Sequence, residues 1–129
     1  FNKSKKTKKA NHIIDALFEF EEIKFQKTPK NSTNVYSNLS SLYTSNNPDV
    51  NRDDLMRILS KEYKIQPVVQ NYPLYRYPLL KKAGFGDANC PNTDFFFDNM
   101  LSFPFYEWFK DEQINYLINS IKKAVKSLR

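Results

Sequence analysis

One cysteine, one histidine and two glycines are present in 129 residues, and each scarcity removes a chemistry. A lone cysteine forbids an internal disulfide, and one cysteine with one histidine cannot supply the three or four nitrogen and sulfur ligands of a zinc site. Gly84 and Gly86 are too few for a phosphate-cradling loop or a G-x-G-x-x-G turn. No apolar run approaches the roughly 20 residues that a bilayer requires, and no charged-then-apolar leader is present. A soluble, cytoplasmic protein without a membrane partner is expected. The length allows one core and leaves little room for two domains. Because the chain starts at Phe1 in mid-phrase, residues 1–129 are expected to form a single domain that is a fragment of something longer.

Aromatic residues, by contrast, are plentiful: eight tyrosines, eleven phenylalanines and one tryptophan describe a chain that packs and is not disordered. Seven of them, Phe95, Phe96, Phe97, Phe103, Phe105, Trp108 and Phe109, are too crowded along the chain to enter one small core together. The net charge of +6 is terminal in origin. Residues 1–10 carry five lysines and residues 120–129 carry Lys122, Lys123, Lys126 and Arg129, which leaves 11 basic against 14 acidic residues between them. A nucleic-acid groove needs cations spread along it with aromatics interleaved. Two basic ends on helices read instead as solvated termini.

Periodicity places the elements. Ala10, Ile13, Ile14, Leu17 and Phe18 mark one face of a helix over 4–19. Ile23 and Phe25 alternate with polar neighbours in a strand over 21–27 that Pro29 stops, and 35–43 is β-prone, so a short antiparallel pair is expected. Asn51 with Asp54 three residues on caps a helix that ends near Tyr63. Ile65–Val69 reads as a third, short strand at a sheet edge or as an extended entry, since Pro67 cannot donate to a ladder. Gln70 to Pro78 is too rich in proline for a helix and forms a structured loop. Pro78 opens a short helix that Gly84 closes, Asn92 or Thr93 caps another, and Ser102-Phe103-Pro104 breaks it into an extended segment. The last helix, capped near Asp111, presents Ile114, Leu117, Ile118, Ile121, Val125 and Leu128 on one face. The order gives an α+β domain, a small and mainly antiparallel three-stranded sheet covered by helices.

Little in this set carries catalysis. His12 has no second ligand or nucleophile partner, and Cys90 has neither a Cys-x-x-Cys mate nor nearby cations, so His12 reads as structural or solvent-facing and Cys90 as a small buried side chain. Asp53 with Asp54, and Glu21 with Glu22, are sequence neighbours that point different ways and make no acid–base couple. No catalytic, cofactor-binding or metal-binding residue is assigned. The loop after Val69 differs, because two prolines stiffen it while Gln70, Asn71, Tyr72, Tyr75 and Arg76 offer hydrogen-bonding groups on rigid or amphipathic bodies. Such a set suits a polyhydroxylated or phosphorylated ligand, and tyrosines packed under a surface loop are the alternative.

Six blocks in order carry a resemblance: Asn51-Arg52-Asp53-Asp54-Leu55-Met56, Ile65-Gln66-Pro67-Val68-Val69, Tyr72-Pro73-Leu74-Tyr75, Lys82-Ala83-Gly84-Phe85, Cys90-Pro91-Asn92, and Leu101-Ser102-Phe103-Pro104 before an amphipathic helix. Together they resemble the C-terminal part of the DegT-like sugar aminotransferases, pyridoxal-phosphate enzymes of fold type I. The resemblance spans Asn51 to Arg129 well and the first 50 residues by order of elements. It implies the small C-terminal domain of an enzyme that moves an amino group from an amino acid, commonly glutamate, to a keto-sugar nucleotide. It also implies a large cofactor-binding domain as partner and a homodimer. In the family the cofactor lysine, the aspartate at the pyridine nitrogen and the phosphate-holding hydroxyls lie upstream, and none of those motifs is present here. This chain alone is therefore expected to be inactive. The loop that the family directs toward the sugar-nucleotide pocket, often with a histidine, corresponds to Gln70, Tyr72 and Tyr75, which are the substrate-binding candidates. The Leu101–Pro104 block resembles a positioning segment.

Two other readings stay open. Relatives that have replaced the cofactor lysine dehydrate sugars instead of aminating them. A module of another class would use the basic ends and the aromatic loop on nucleic acid without being an enzyme, and its affinity would fall steeply with salt.

Overall fold

Helices form where apolar residues recur every three to four positions, and the first two strands where they recur every two. The computed structural model describes residues 3–70 and 72–129. The elements are α1 (Lys3–Leu17), β1 (Ile23–Phe25), β2 (Leu39–Tyr43), α2 (Arg52–Tyr63), a 3₁₀ turn (Leu74–Arg76), α3 (Pro78–Leu80) running into a π turn (Lys81–Phe85), α4 (Pro91–Asn99), β3 (Met100–Phe103) and α5 (Asp111–Ser127). Asn51 caps α2 with a reciprocal box: its side chain accepts from the amides of Asp53 and Asp54 while Asp54 accepts from the Asn51 amide. Pro78 stands first in α3 as expected, whereas Gly84, expected to close that helix, lies inside the π turn at φ 91°, a backbone angle that side chains resist, and Gly86 follows the turn's end. Pro91 takes the first turn of α4 with Cys90 before it, so Asn92 and Thr93 fall inside the helix instead of capping it.

The sheet is antiparallel throughout, in the order β1-β2-β3, with Ile23 opposite Tyr43 and Ser40 opposite Ser102. The third strand is Met100–Phe103, not Ile65–Val69. In the latter segment the amide of Ile65 bonds back to the Leu59 carbonyl, and Pro67 has no amide to offer. That leaves a single bridge in which Val68 and Ser102 exchange bonds of 3.0 and 2.8 Å. β2 also begins later than the β-prone run, because Tyr36 adopts φ 48° and its amide closes a local turn on Asn34 Oδ1 at 2.8 Å.

Alternation along β2 and β3 gives the sheet two faces. Leu39, Tyr43, Leu101 and Phe103 enter the core with Ala10, Ile13 and Leu17 of α1, Leu55 and Leu59 of α2, and Ile114, Leu117, Ile121 and Val125 of α5. Each large aliphatic side chain so buried contributes roughly 1.5–3 kcal/mol before chain entropy is counted. α5 packs on both α1 and α2. The opposite face carries Ser40, Leu42, Met100 and Ser102. Of the crowded aromatics, Phe103 and Phe105 are buried, Phe97 and Phe109 are half-buried, and Phe95, Phe96 and Trp108 remain exposed. No helix among the described residues is long and apolar enough to cross a membrane.

The basic ends are less free than their composition suggests. Lys6 is buried over the Phe105 ring at 5.5 Å, Lys122 pairs with Glu19 at 2.6 Å, and Arg129 forks onto Glu22 through bonds of 2.8 and 3.2 Å. Glu22 is 5% exposed, and the Arg129 guanidinium holds its carboxyl below the usual value of 4.5. A carboxylate whose pKa is lowered by folding stabilises the protein above its unfolded value, and that stability disappears as pH falls through the folded one. Urea denaturation between pH 7 and 3 is expected to show stability declining below about pH 4.5. Arg129→Ala is expected to lower stability at pH 7 and to flatten the acid slope. An unchanged slope in the variant would show that other carboxylates carry the dependence.

Candidate functional site

The loop from Gln70 to Tyr77 is fastened at several points, and these divide it in two. At its start the Gln70 amide donates to Met100 Sδ at 3.3 Å, and the Ser102 hydroxyl donates to Gln70 Oε1 at 3.2 Å. Ser40 Oγ lies 2.7 Å from Ser102 Oγ. Since Ser102 uses its proton on Gln70, Ser40 must donate to Ser102, and the relay runs Ser40 to Ser102 to Gln70. Ser40 and Ser102 lie on the face of β2 and β3 that points away from the core, where Ser102 is buried. The Gln70 NH₂ takes no part in the relay.

The rest of the loop is held by α4. Tyr75 donates to Asp94 Oδ1 at 2.5 Å, and Arg76 bridges Asp94 and Asp98. The bond to Asp94 raises the Tyr75 pKa above the ordinary phenol value, and that bond, followed by Arg76, lowers the Asp94 pKa. Tyr72 meets Tyr77 and Phe97 edge-on at 4.8 and 5.1 Å. Arg76 lies 5.3 Å from the centre of the Phe97 ring and Arg52 lies 5.9 Å from it. Asn71 lies outside the described residues.

The three sequence candidates are thus placed differently. Gln70 lines a cleft of about 320 Å³ together with Lys6, Asn38, Gln66, Ser102 and the segment from Phe103 to Trp108. Tyr72 packs on Tyr77 and on Phe97 of α4, and the Tyr75 hydroxyl is already bound to the Asp94 carboxylate of α4. Sequence reasoning missed Ser40 and Ser102, which meet only through the pairing of β2 with β3, and the stacking of Tyr106 on Trp108, of which only Trp108 was counted among the crowded aromatics. His12 is exposed, and Cys90 is half-buried rather than enclosed.

A pyridine cofactor bearing an aldehyde and a phosphate needs a lysine amine, a carboxylate at its ring nitrogen and a cradle for the phosphate. Lys9 gives its ammonium to the carbonyls of Glu107 and Phe109, Lys6 lies over Phe105, and Lys122 is paired with Glu19. The other lysines with described side chains are exposed. Asp94 and Asp98 are committed to Arg76, and both glycines lie in or beside the π turn. The described residues do not fit such a group. No cluster of three or more His, Cys, Asp or Glu able to hold a metal occurs among them either.

Known proteins resemble this chain in fold and, more weakly, in sequence. Spore coat polysaccharide biosynthesis protein SpsC of Bacillus subtilis is 28% identical over 78 residues, which cover 60% of this chain and 20% of that protein. The aminotransferase PseC of Helicobacter pylori, involved in the biosynthesis of pseudoaminic acid, superposes with a TM-score of 0.83 at 16% identity, over 96% of this chain and 33% of that one. NtdA of Bacillus subtilis, solved with bound cofactor PMP, gives 0.79 at 19% identity, over 97% of this chain and 28% of that one. At such identities the two structures show a shared fold. The chain spans about a third of the length of PseC and a fifth of SpsC. The small sheet with its three packed helices, and the match of residues 1–122 to the family pattern, agree: this chain belongs to the DegT/DnrJ/EryC1/StrS aminotransferase family.

Proposed function

We propose that these 129 residues are the C-terminal small domain of a pyridoxal-phosphate-dependent aminotransferase acting on a keto-sugar nucleotide. The domain helps to complete the substrate pocket, and the cofactor lysine and phosphate cradle belong to a larger domain of the parent enzyme. Family membership supports the aminotransferase reading. The names of SpsC and PseC, a polysaccharide protein and a pseudoaminic acid protein, support a sugar substrate. In this reading an amino acid is the amino donor, the enzyme works as a homodimer in the cytoplasm, and nucleic acid is not a ligand. The internal use of Lys6, Lys9, Lys122 and Arg129 favours that last point.

The observation that carries the pocket role is the relay from Ser40 through Ser102 to Gln70, which orients a side-chain amide at a cleft. A part-buried, polarised chain of this kind fixes the direction of its last group. Tyr75 and Arg76 anchor the loop on α4 and hold it in register with that amide.

The test uses the complete enzyme. Gln70→Ala is expected to lower kcat/KM about three- to tenfold, the value of one hydrogen bond to a ligand, with little change in melting temperature. Tyr75→Phe, which removes one of the loop's two bonds to Asp94, is expected to weaken substrate use in the same direction and more than it weakens folding. Unchanged kinetics accompanied by a fall in melting temperature would make the loop purely structural.

A further inference from the structure

β1 is an outer strand of the sheet, bonded to β2 on one side only. An antiparallel pair alternates bonded and unbonded residues, and the Thr44 amide donates to the Glu22 carbonyl at 2.9 Å. In the register of β1 on β2, Lys24 therefore bonds Leu42, while Ile23 and Phe25 turn their backbone groups outward. The Ile23 amide returns to the Phe20 carbonyl at 3.1 Å. The Phe25 amide and the carbonyls of Ile23 and Phe25 have no partner among the described residues. Beside this edge, on the core side of the sheet, α1 and β1 leave a cleft of about 570 Å³ walled by Ile14, Phe18, Phe20, Phe25 and Tyr36. Phe18 is 86% exposed there. A strand laid along the edge would send alternate side chains into the cleft, and the others past Lys24 on the opposite face.

Charge decides what such a strand must be. Lys24, Lys27 and Lys30 are exposed and in no ion pair among the described residues, whereas the nearby acids Glu19 and Glu22 are taken by Lys122 and Arg129. Glu21 is the one exposed acid of the edge left unpaired. A second copy of this chain fits badly: setting Ile23 against Phe25 across a two-fold axis puts Lys24 opposite its own copy, and like charges directly opposite destabilise a pair. With Pro29 and a length of three residues, Lys24 also turns away neutral and basic strands. We propose that the β1 edge takes up an extended segment of another protein as a fourth strand, with apolar side chains in the cleft and acidic ones along Lys24. Lys27 and Lys30 add to the attraction. This surface shares no residue with the Gln70 cleft, and the inference does not depend on the substrate reading.

The probe is a short fluorescein-labelled peptide in which valines alternate with glutamates, followed by anisotropy as the 129-residue chain is added. Binding is expected, and it should weaken as salt rises. Methylating the peptide's valine amides, which would face β1, should raise the Kd roughly tenfold, because the bonds to the Ile23 and Phe25 backbone are lost. Lys24→Glu should weaken the glutamate peptide by about tenfold and admit a peptide with lysines in place of the glutamates. Phe18→Ala should weaken the glutamate peptide, and Tyr116→Ala, which removes an exposed aromatic on α5, should leave its Kd unchanged. Circular dichroism checks that each variant folds. Equal binding of the methylated peptide would mean that no strand is added, and indifference to Lys24→Glu would mean that charge does not select; either overturns the proposal. So does the absence of binding up to about 1 mM peptide. A dimer that grows with protein concentration and is dissolved by Phe18→Ala would assign the edge to a second copy. Binding by this chain but not by the complete enzyme would assign it to the enzyme's own residues, and both results overturn the partner.

Discussion

Arg52→Ala is expected to lower the melting temperature by about 10 °C. Arg52 is 8% exposed at the start of α2, and its guanidinium donates to the carbonyls of Phe97 and Met100 at 3.0 and 2.8 Å. Those two carbonyls sit where α4 turns into β3, so one side chain ties the cap of α2 to the joint between a helix and a strand. A hydrogen bond from a charged donor is worth about 1.5–3 kcal/mol, and removing the donor leaves both acceptors without their partner. Some water will enter, so the expected loss is roughly 3 kcal/mol in all. Arg52→Lys keeps the charge but loses the planar fork, and should fall between parent and alanine variant. Asp53→Ala is the control, because its side chain is 73% exposed and its pair with Arg52 is screened. A melting temperature within about 2 °C of the parent in Arg52→Ala would show that water replaces the guanidinium fully.

The second large effect is all or none. Mixed with pyridoxal phosphate, an amino donor and a keto-sugar nucleotide, the 129-residue chain is expected to form no amino sugar. The spectrum of the added pyridoxal phosphate should remain that of the free compound. The reason is chemical: transfer of an amino group needs an electron sink held against a lysine amine. Here Lys6 and Lys9 are occupied by a ring and by two backbone carbonyls, Lys122 is paired with Glu19, and the other lysines with described side chains stand at the surface. A surface lysine can react slowly with an aldehyde, so the decisive readout is turnover, followed by mass spectrometry of the sugar product. Product accumulating above the protein concentration would overturn the expectation.

What was legible in the sequence was local. The Asn51–Asp54 box, the apolar stripe of α5 and the place of Pro78 are decided by residues within one or two turns of each other, and the chain reports them directly. The third strand was not legible. All four residues of β3 are buried, so it lacks the alternation by which a half-exposed strand announces itself. Ile65–Val69, with its β-branched residues, took the assignment instead. The same limit applies to the candidate site. Gln70 could be singled out as a polar residue in a stiff loop, but Ser40 and Ser102 are 62 positions apart and unite only when β2 and β3 pair. Lys6 and Lys9 looked solvated because a run of lysines carries no signal for which member turns inward.

That late pairing has a consequence for the order in which the molecule assembles. The β1–β2 hairpin can close as soon as its own residues are available, but the far edge of β2 stays unpaired until a segment some 62 residues further along arrives. At about 5–20 residues per second of synthesis, that edge waits on the order of 3–12 s. An open strand edge is a template for pairing with other chains. Ser40 and Ser41 interrupt the apolar residues of β2, and their hydroxyls keep the waiting edge hydrated until Ser102 and Leu101 take their places beside it.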